Sequence, residues 1–154
     1  MVQSSLLGSC AVIALLSTAL FAGAALHVAV IQYPAYSRVG AEAALVQWMN
    51  SFSRAPFLHP IVAATGCVAA LLTSASGGGG AWSAAAALIG FVVPFSTVVM
   101  PTGKSLFGPH SEPHSAETRR LVREWATLHN IRTALAVGAT LLMLWQSLQL
   151  LASF

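Results

Sequence analysis

The distribution of charged side chains limits what this chain can fold into more than any other feature. All 11 Lys, Arg, Asp and Glu residues lie in two windows, residues 38–54 and 104–132. Outside these windows the chain has uncharged runs of 37, 49 and 22 residues. One helical crossing of a bilayer requires about 20 apolar residues. The three runs therefore have room for one, two and one membrane-spanning helices.

The composition excludes several classes of protein. Only 7% of the residues are charged and 56% are hydrophobic, whereas a soluble domain has roughly 25% charged residues. The two cysteines, Cys10 and Cys67, lie in apolar runs and do not indicate a disulfide scaffold. Membrane topology and contact with anionic lipid explain the net charge of +3. Membrane lipid is therefore an expected partner and nucleic acid is not, while the oligomeric state is not predicted.

The predicted fold class is an all-α, integral membrane four-helix bundle. We expect one domain, residues 1–154, with spans near residues 6–31, 57–73, 81–100 and 127–152. Tyr33-Pro34 is predicted to end the first helix, because proline disfavours helical geometry in the residue before it. No basic residue precedes Leu6, and the apolar run that follows is too long for a signal peptide. We therefore interpret this run as a membrane span. The glycine-rich segment 74–80 predicts a turn.

The fourth helix is predicted to extend beyond its span into the cytoplasm. Ser115 is the expected N-cap, and Glu117 lies in the first turn behind it. Cytoplasmic flanks of membrane helices are enriched in Lys and Arg. The two long loops carry six such residues and the termini and glycine turn carry none: Arg38, Arg54, Lys104, Arg119, Arg120 and Arg123. Both termini are therefore predicted to be non-cytoplasmic.

On this topology, all five histidines lie towards the cytoplasmic side. His27 is inside the first span, His59 opens the second, His129 opens the fourth, and His110 and His114 are in the second loop. Polar side chains within membrane helices usually face the bundle interior or a wet cavity. We therefore predict a polar cavity with His27, His59 and His129 as walls. In the alternative interpretation, these histidines are interfacial side chains bonded to carbonyl or lipid head groups.

A metal site is a second alternative for the same three histidines. Imidazole binds zinc, copper and iron, so His27, His59 and His129 could be the ligands of a transition metal. None of the three is paired with another at the spacing that builds metal sites in helical bundles. His110 and His114 have that spacing, but Pro113 interrupts it. Our first prediction is therefore that the protein has no metal.

Three residues of the fourth helix are spaced to form one stripe. Trp125, His129 and Arg132 are separated by four and three residues, which places them on one helix face. The guanidinium supplies positive charge and the imidazole a base that titrates near neutral pH, a pair suited to a phenolate or enolate. Lys104 and Thr102, just past the third span, are candidates for the same role. Alternatively, the Arg132 side chain could reach out of the apolar region so that its guanidinium contacts the lipid head groups.

Two segments resemble the signature of the anthrone oxygenase family. These small four-helix membrane proteins occur in fungal polyketide pathways and have bacterial relatives. The resemblance is carried by residues 93–100 (VPFSTVVM) with Thr102, Lys104 and Leu106, and by residues 121–125 (LVREW) with Leu128, His129 and Arg132. Gly23, Tyr33-Pro34 and residues 48–54 add to it. Fungal members typically have asparagine at the positions of Gly103 and His129.

The resemblance implies a monooxygenase of secondary metabolism that converts an anthrone to an anthraquinone. Molecular oxygen is the co-substrate, and no flavin, haem or metal is implied. On this basis the catalytic residues are His129 as base and Arg132 as oxyanion partner, with His27 as the alternative base. The small, hydrophobic aromatic substrate would contact the remaining candidates: Lys104, Thr102, Trp125, Tyr33 and Tyr36.

The competing functions are a metal-dependent membrane oxidoreductase and a non-enzymatic membrane protein that scaffolds, transports or binds lipid. Small residues at four-residue spacing allow the close helix packing that any of these requires: Ala19, Gly23, Gly66 and Ala70. A transporter would be expected to show inverted repeats, and none is evident in the sequence.

Overall fold

The computed structural model describes residues 2–40, 55–106 and 115–152, and this part of the chain is helical without strands. The predicted all-α class is confirmed. The elements are α1 (Val2–His27), a π-helical turn (Val28–Gln32), α2 (Tyr33–Val39), α3 (Ala55–Thr73), a second π-helical turn (Ser74–Gly78), α4 (Gly80–Leu106) and α5 (Ala116–Ala152).

The four long helices form a bundle in which each has two principal neighbours. Helices α1 and α4 both pack between α3 and α5. The end of one helix lies beside the start of its neighbour: Phe21 of α1 contacts His59 of α3, and Ser96 of α4 contacts Arg132 of α5. The bundle is therefore antiparallel. One end contains Ala25, His59, Ser96 and Arg132 and is called the Arg132 end below, whereas the α3–α4 turn lies at the other.

Small side chains dominate the interior and large apolar ones cover the outside. Fifteen buried hydrophobic residues form one core cluster, of which ten are alanine. Large apolar residues on every long helix are exposed, including Leu20, Leu71, Phe91 and Leu148. This distribution is typical of helix bundles in membranes, where small interior residues allow close helix packing.

Three of the long helices are apolar enough to cross a membrane by length and composition. Among the described residues, these candidate spans are Leu6–Tyr36, Leu58–Gly78 and Ala116–Gln149. The apolar part of α4 is shorter, Gly80–Ser96. Its inner face is nevertheless fully buried at Trp82 and Ile89. This helix therefore belongs to the bundle and contributes to its core.

The prediction that the first helix ends at Tyr33-Pro34 is wrong. The chain stays helical to Val39 because the π-helical turn intervenes, and the Tyr33 N–H bonds to the Val28 carbonyl. Pro34 then lies in the first turn of α2, where a missing N–H group is tolerated. The extension carries Tyr36 one further turn along the Arg132 end. A local proline rule does not anticipate a wider turn of this kind.

The glycine segment and the start of α5 follow the predictions more closely. The chain reverses between α3 and α4, and Gly77 and Gly79 have φ values of 97° and 94° there. Such values favour glycine because it has no Cβ. Ser115 caps α5 as predicted, since its Oγ accepts the Thr118 N–H at 2.9 Å. The helix begins at Ala116, with Glu117 in its first turn.

Candidate functional site

The predicted stripe on α5 forms a connected group of side chains. The rings of Trp125 and His129 stack with centroids 4.9 Å apart and planes inclined by 13°. One turn further on, Arg132 Nη2 lies 2.9 Å from His129 Nδ1. Trp125 and His129 are buried, at 5% and 2% exposure. The helical spacing therefore places an indole, an imidazole and a guanidinium in sequence at one end of the bundle.

Hydrogen bonds to His129 define which of its ring nitrogens carries the proton. A guanidinium can only donate, so Nδ1 accepts from Arg132. The carbonyl oxygen of Ala25, 2.9 Å from Nε2, can only accept, so Nε2 carries the hydrogen. In this arrangement His129 is a neutral imidazole with both nitrogens engaged. The residue links α1 to the guanidinium of α5.

In the described part of the chain, the groups that contact Arg132 are neutral. Its Nη1 makes a long contact of 3.5 Å with Ser96 Oγ, and its Cζ lies 5.6 Å from the centre of the Phe21 ring. Its Nε is buried and has no hydrogen-bond partner among the described residues. Among the described residues, an ion pair joins Glu117 and Arg120 on the exposed surface, away from Arg132. A cation withdrawn from water normally has an anionic partner, so this half-buried guanidinium is suited to bind one.

An aromatic cluster lies beside the charged group. Tyr33 and Tyr36 of α2 and Phe95 of α4 pack against the cluster centred on Trp125 and Ala126. The two tyrosines reach it because the chain remains helical beyond Pro34. The structure therefore brings together three predicted substrate-contacting residues, from two helices, next to His129 and Arg132.

Of the other predicted site residues, His59 lies in the described bundle, whereas several others lie outside the described part of the chain. His59 is half-buried, with its ring 5.7 Å from that of Phe21 at 74°. The same Phe21 ring lies against Arg132, whose Cζ is 5.6 Å from the ring centre. Thr102 and Lys104 belong to the helical backbone at the end of α4, but their side chains lie outside the described part. His110 and His114 also lie outside it.

His27 is not a wall of this site. Its side chain is exposed, because it follows Ala25 by two residues, a rotation of about 200° around the helix axis. The alternative metal-ligand set of His27, His59 and His129 is therefore not assembled. Within residues 2–40, 55–106 and 115–152, no three His, Cys, Asp or Glu side chains are grouped to hold a metal ion.

Sequence reasoning missed Phe21 and the Ala25 carbonyl, both on α1. They are four residues apart and share the face that packs against α3 and α5. That spacing was visible in the sequence, although nothing in it indicated that this face meets Arg132. Ser96 bonds to its own helix, because its Oγ donates to the Val92 carbonyl at 2.7 Å. Its contact with Arg132 is additional.

Comparison with known proteins gives one family. The family model described as anthrone oxygenase matches residues 48–142, more than half of the chain. The matched region includes Trp125, His129 and Arg132, as well as His59 and Ser96, whereas Phe21 and the two tyrosines precede it. No curated protein and no solved structure matches the chain.

Proposed function

Because the chain belongs to the anthrone oxygenase family, we propose that it is a membrane-embedded oxygenase that oxidises an anthrone-like polycyclic phenol to a quinone with molecular oxygen. The observation that carries the proposal is the arrangement of Arg132. Its guanidinium has no carboxylate partner in the described part of the chain and lies beside a stacked indole and imidazole. An aromatic anion has both the charge and the flat faces to bind there.

The proposed reaction begins with loss of a proton from the methylene group of the anthrone. The electron pair of the broken C–H bond delocalises onto the carbonyl oxygen, and the resulting enolate is rich enough in electrons to reduce dioxygen. A C–O bond forms to give a hydroperoxide, which loses water as its O–O bond breaks. One CH₂ group and one O₂ molecule thus become one C=O group and one H₂O molecule.

The described side chains support distinct steps of this scheme. Arg132 stabilises the enolate oxygen by a fixed positive charge in a site of low polarity. Trp125, Tyr33 and Tyr36 offer aromatic surfaces against which the fused rings stack. Lys104 and Thr102 remain proposed secondary contacts.

A histidine is the proposed proton acceptor. The role predicted for His129 requires Arg132 to release Nδ1, because the guanidinium occupies that nitrogen. His27, the alternative, is exposed on the opposite side of α1.

Oxygen consumption by the purified protein tests the proposal. We expect a hydroxylated anthrone to yield its quinone with one O₂ consumed per quinone, faster than in protein-free detergent. Activity should survive chelation, and no flavin or haem absorbance should copurify. Failure of the protein to accelerate quinone formation would exclude this function. Loss of a stoichiometric transition metal together with activity would instead favour the metal-dependent oxidoreductase.

We also propose that the Arg132 end of the bundle faces the cytoplasm in a multi-pass membrane protein, with both termini on the other side. The proposal depends on the six basic residues of the two long loops. In a background with Cys10 and Cys67 replaced by alanine, single cysteines at Ser76 and Ser111 should react with impermeant reagents from opposite sides. Reaction of both from the same side would exclude this topology.

A further inference from the structure

The two histidines near Arg132 differ in what their ring nitrogens can do. Both nitrogens of His129 are engaged, one by Arg132 and one by the Ala25 carbonyl. By contrast, no group in the described part of the chain forms a hydrogen bond with the ring of His59, which contacts the edge or face of Phe21. Of these two described histidines, only His59 therefore has a nitrogen lone pair ready to accept a proton.

The shape of an anthrone also separates the two histidines. Its carbonyl and methylene carbons occupy opposite corners of the central ring, so the oxygen lies roughly 4 Å from the carbon that loses the proton. A cation on the oxygen and a base at the methylene therefore contact separate atoms of the ring, each at a distance of about 3 Å. Arg132 Nη2 and His129 Nδ1 are 2.9 Å apart and bonded to each other. A ring does not fit between them.

His59 and Arg132 both lie beside Phe21. The His59 ring and the Arg132 Cζ lie 5.7 and 5.6 Å from the centre of the same Phe21 ring, on different helices. In the described part of the chain no hydrogen bond joins His59 to Arg132, in contrast to the bond between Arg132 and His129. The imidazole of His59 is therefore a separate group close to the guanidinium, not one bonded to it.

The fate of the proton favours the same residue. A proton added to His129 would place a second positive charge directly beside the guanidinium, in a side chain that is 2% exposed. His59 is half-buried and lies in the first turns of α3. A proton on its ring can pass to water at the end of the bundle.

We therefore propose that His59 is the proton acceptor and that His129 is a positioning residue that holds Arg132, an inference that rests on the proposed oxygenase function. The methylene C–H bond breaks, the proton moves to a ring nitrogen of His59, and the electron pair becomes the enolate whose oxygen binds Arg132. His59 returns the proton to water. Dioxygen, the co-substrate, then accepts the electrons from the enolate carbon as the C–O bond forms.

Steady-state kinetics of His59→Ala and His129→Ala with an anthrone test this assignment. For His59→Ala, kcat should fall by roughly 10²-fold while KM changes little, since proton abstraction is lost and the oxyanion contact remains. Added imidazoles should restore activity in proportion to their basicity. Deuteration of the methylene should slow His59→Ala more than the wild type. His129→Ala should mainly raise KM, and its activity should not depend on the basicity of added imidazoles.

Two further variants control for folding. Thr65→Ala alters an exposed residue of α3 and should retain wild-type activity, whereas His59→Gln should lose activity as His59→Ala does. Full kcat in both His59 variants would overturn the inference and leave the oxygenase function intact. Rescue of His129→Ala that rises with imidazole basicity would also overturn it, by identifying His129 as the base. A wild-type protein that oxidises no anthrone would exclude the oxygenase function itself.

Discussion

Arg132→Ala is expected to lower kcat/KM for an anthrone by roughly 10²- to 10³-fold, the cost of removing a donor to a developing oxyanion. The substitution removes the cation that holds the enolate oxygen. It also leaves Nδ1 of His129 without its donor and removes the contact with Phe21. Product formation measured at saturating oxygen, with KM and kcat separated, gives the size of the effect.

Arg132→Lys should recover only part of this loss. An ammonium group keeps the charge but cannot reproduce the planar fork that reaches both His129 and Ser96. Arg123→Ala is the matched control, because Arg123 lies on the same helix and is exposed. Activity of Arg132→Ala within about twofold of the Arg123→Ala control would remove Arg132 from the reaction, since a lost oxyanion donor costs far more.

Gly66→Leu is expected to produce a large loss of stability. A Cβ at Gly66 would lie 2.5 Å from Thr18 Oγ1 and 3.4 Å from the Thr18 backbone nitrogen. Leucine is a better helix former than glycine, so any loss reflects the contact between α1 and α3. Overpacking of this kind costs about 1–3 kcal/mol. Thermal unfolding in detergent, followed by circular dichroism, should show the decrease.

Gly23→Leu is the control, because Gly23 is exposed and a Cβ there meets nothing within 4 Å. It should unfold at or above the wild-type temperature. The smaller substitution Gly66→Ala should also lower the unfolding temperature. Adding Thr18→Ala should restore part of that loss, because it removes the hydroxyl that the new methyl group contacts. Equal stability of Gly66→Leu and Gly23→Leu would show that α1 and α3 do not approach closely at this point.

The four long helices could be predicted from the sequence, because the charged residues divide the chain into uncharged runs whose lengths fit one, two and one helices. The cap of α5 was also predictable, since Ser115 and Glu117 act locally. The continuation of the first helix through Pro34 was not. It depends on a π-helical turn at Val28–Gln32, and residue preferences at a proline do not contain that information.

The site was predictable where it depends on one helix and unpredictable where it depends on several. Helical periodicity alone aligned Trp125, His129 and Arg132. The prediction for His27 used only its depth in the first span. Its helix face depends on the rotation of about 100° per residue, which places it away from the bundle interior. The Ala25 contact uses a backbone carbonyl, which any residue would supply. Only the packing of α1 against α5 brings it to His129.

Formation of the enolate in the absence of oxygen tests the central claim most directly, because it isolates the step assigned to Arg132. The wild-type protein should be mixed anaerobically with a hydroxylated anthrone, and the long-wavelength absorbance of the enolate should be titrated. We predict one enolate bound per protein, and none with Arg132→Ala at the same pH. An anthrone that binds to the wild-type protein only in its keto form, or an enolate that forms equally well with Arg132→Ala, would contradict the account.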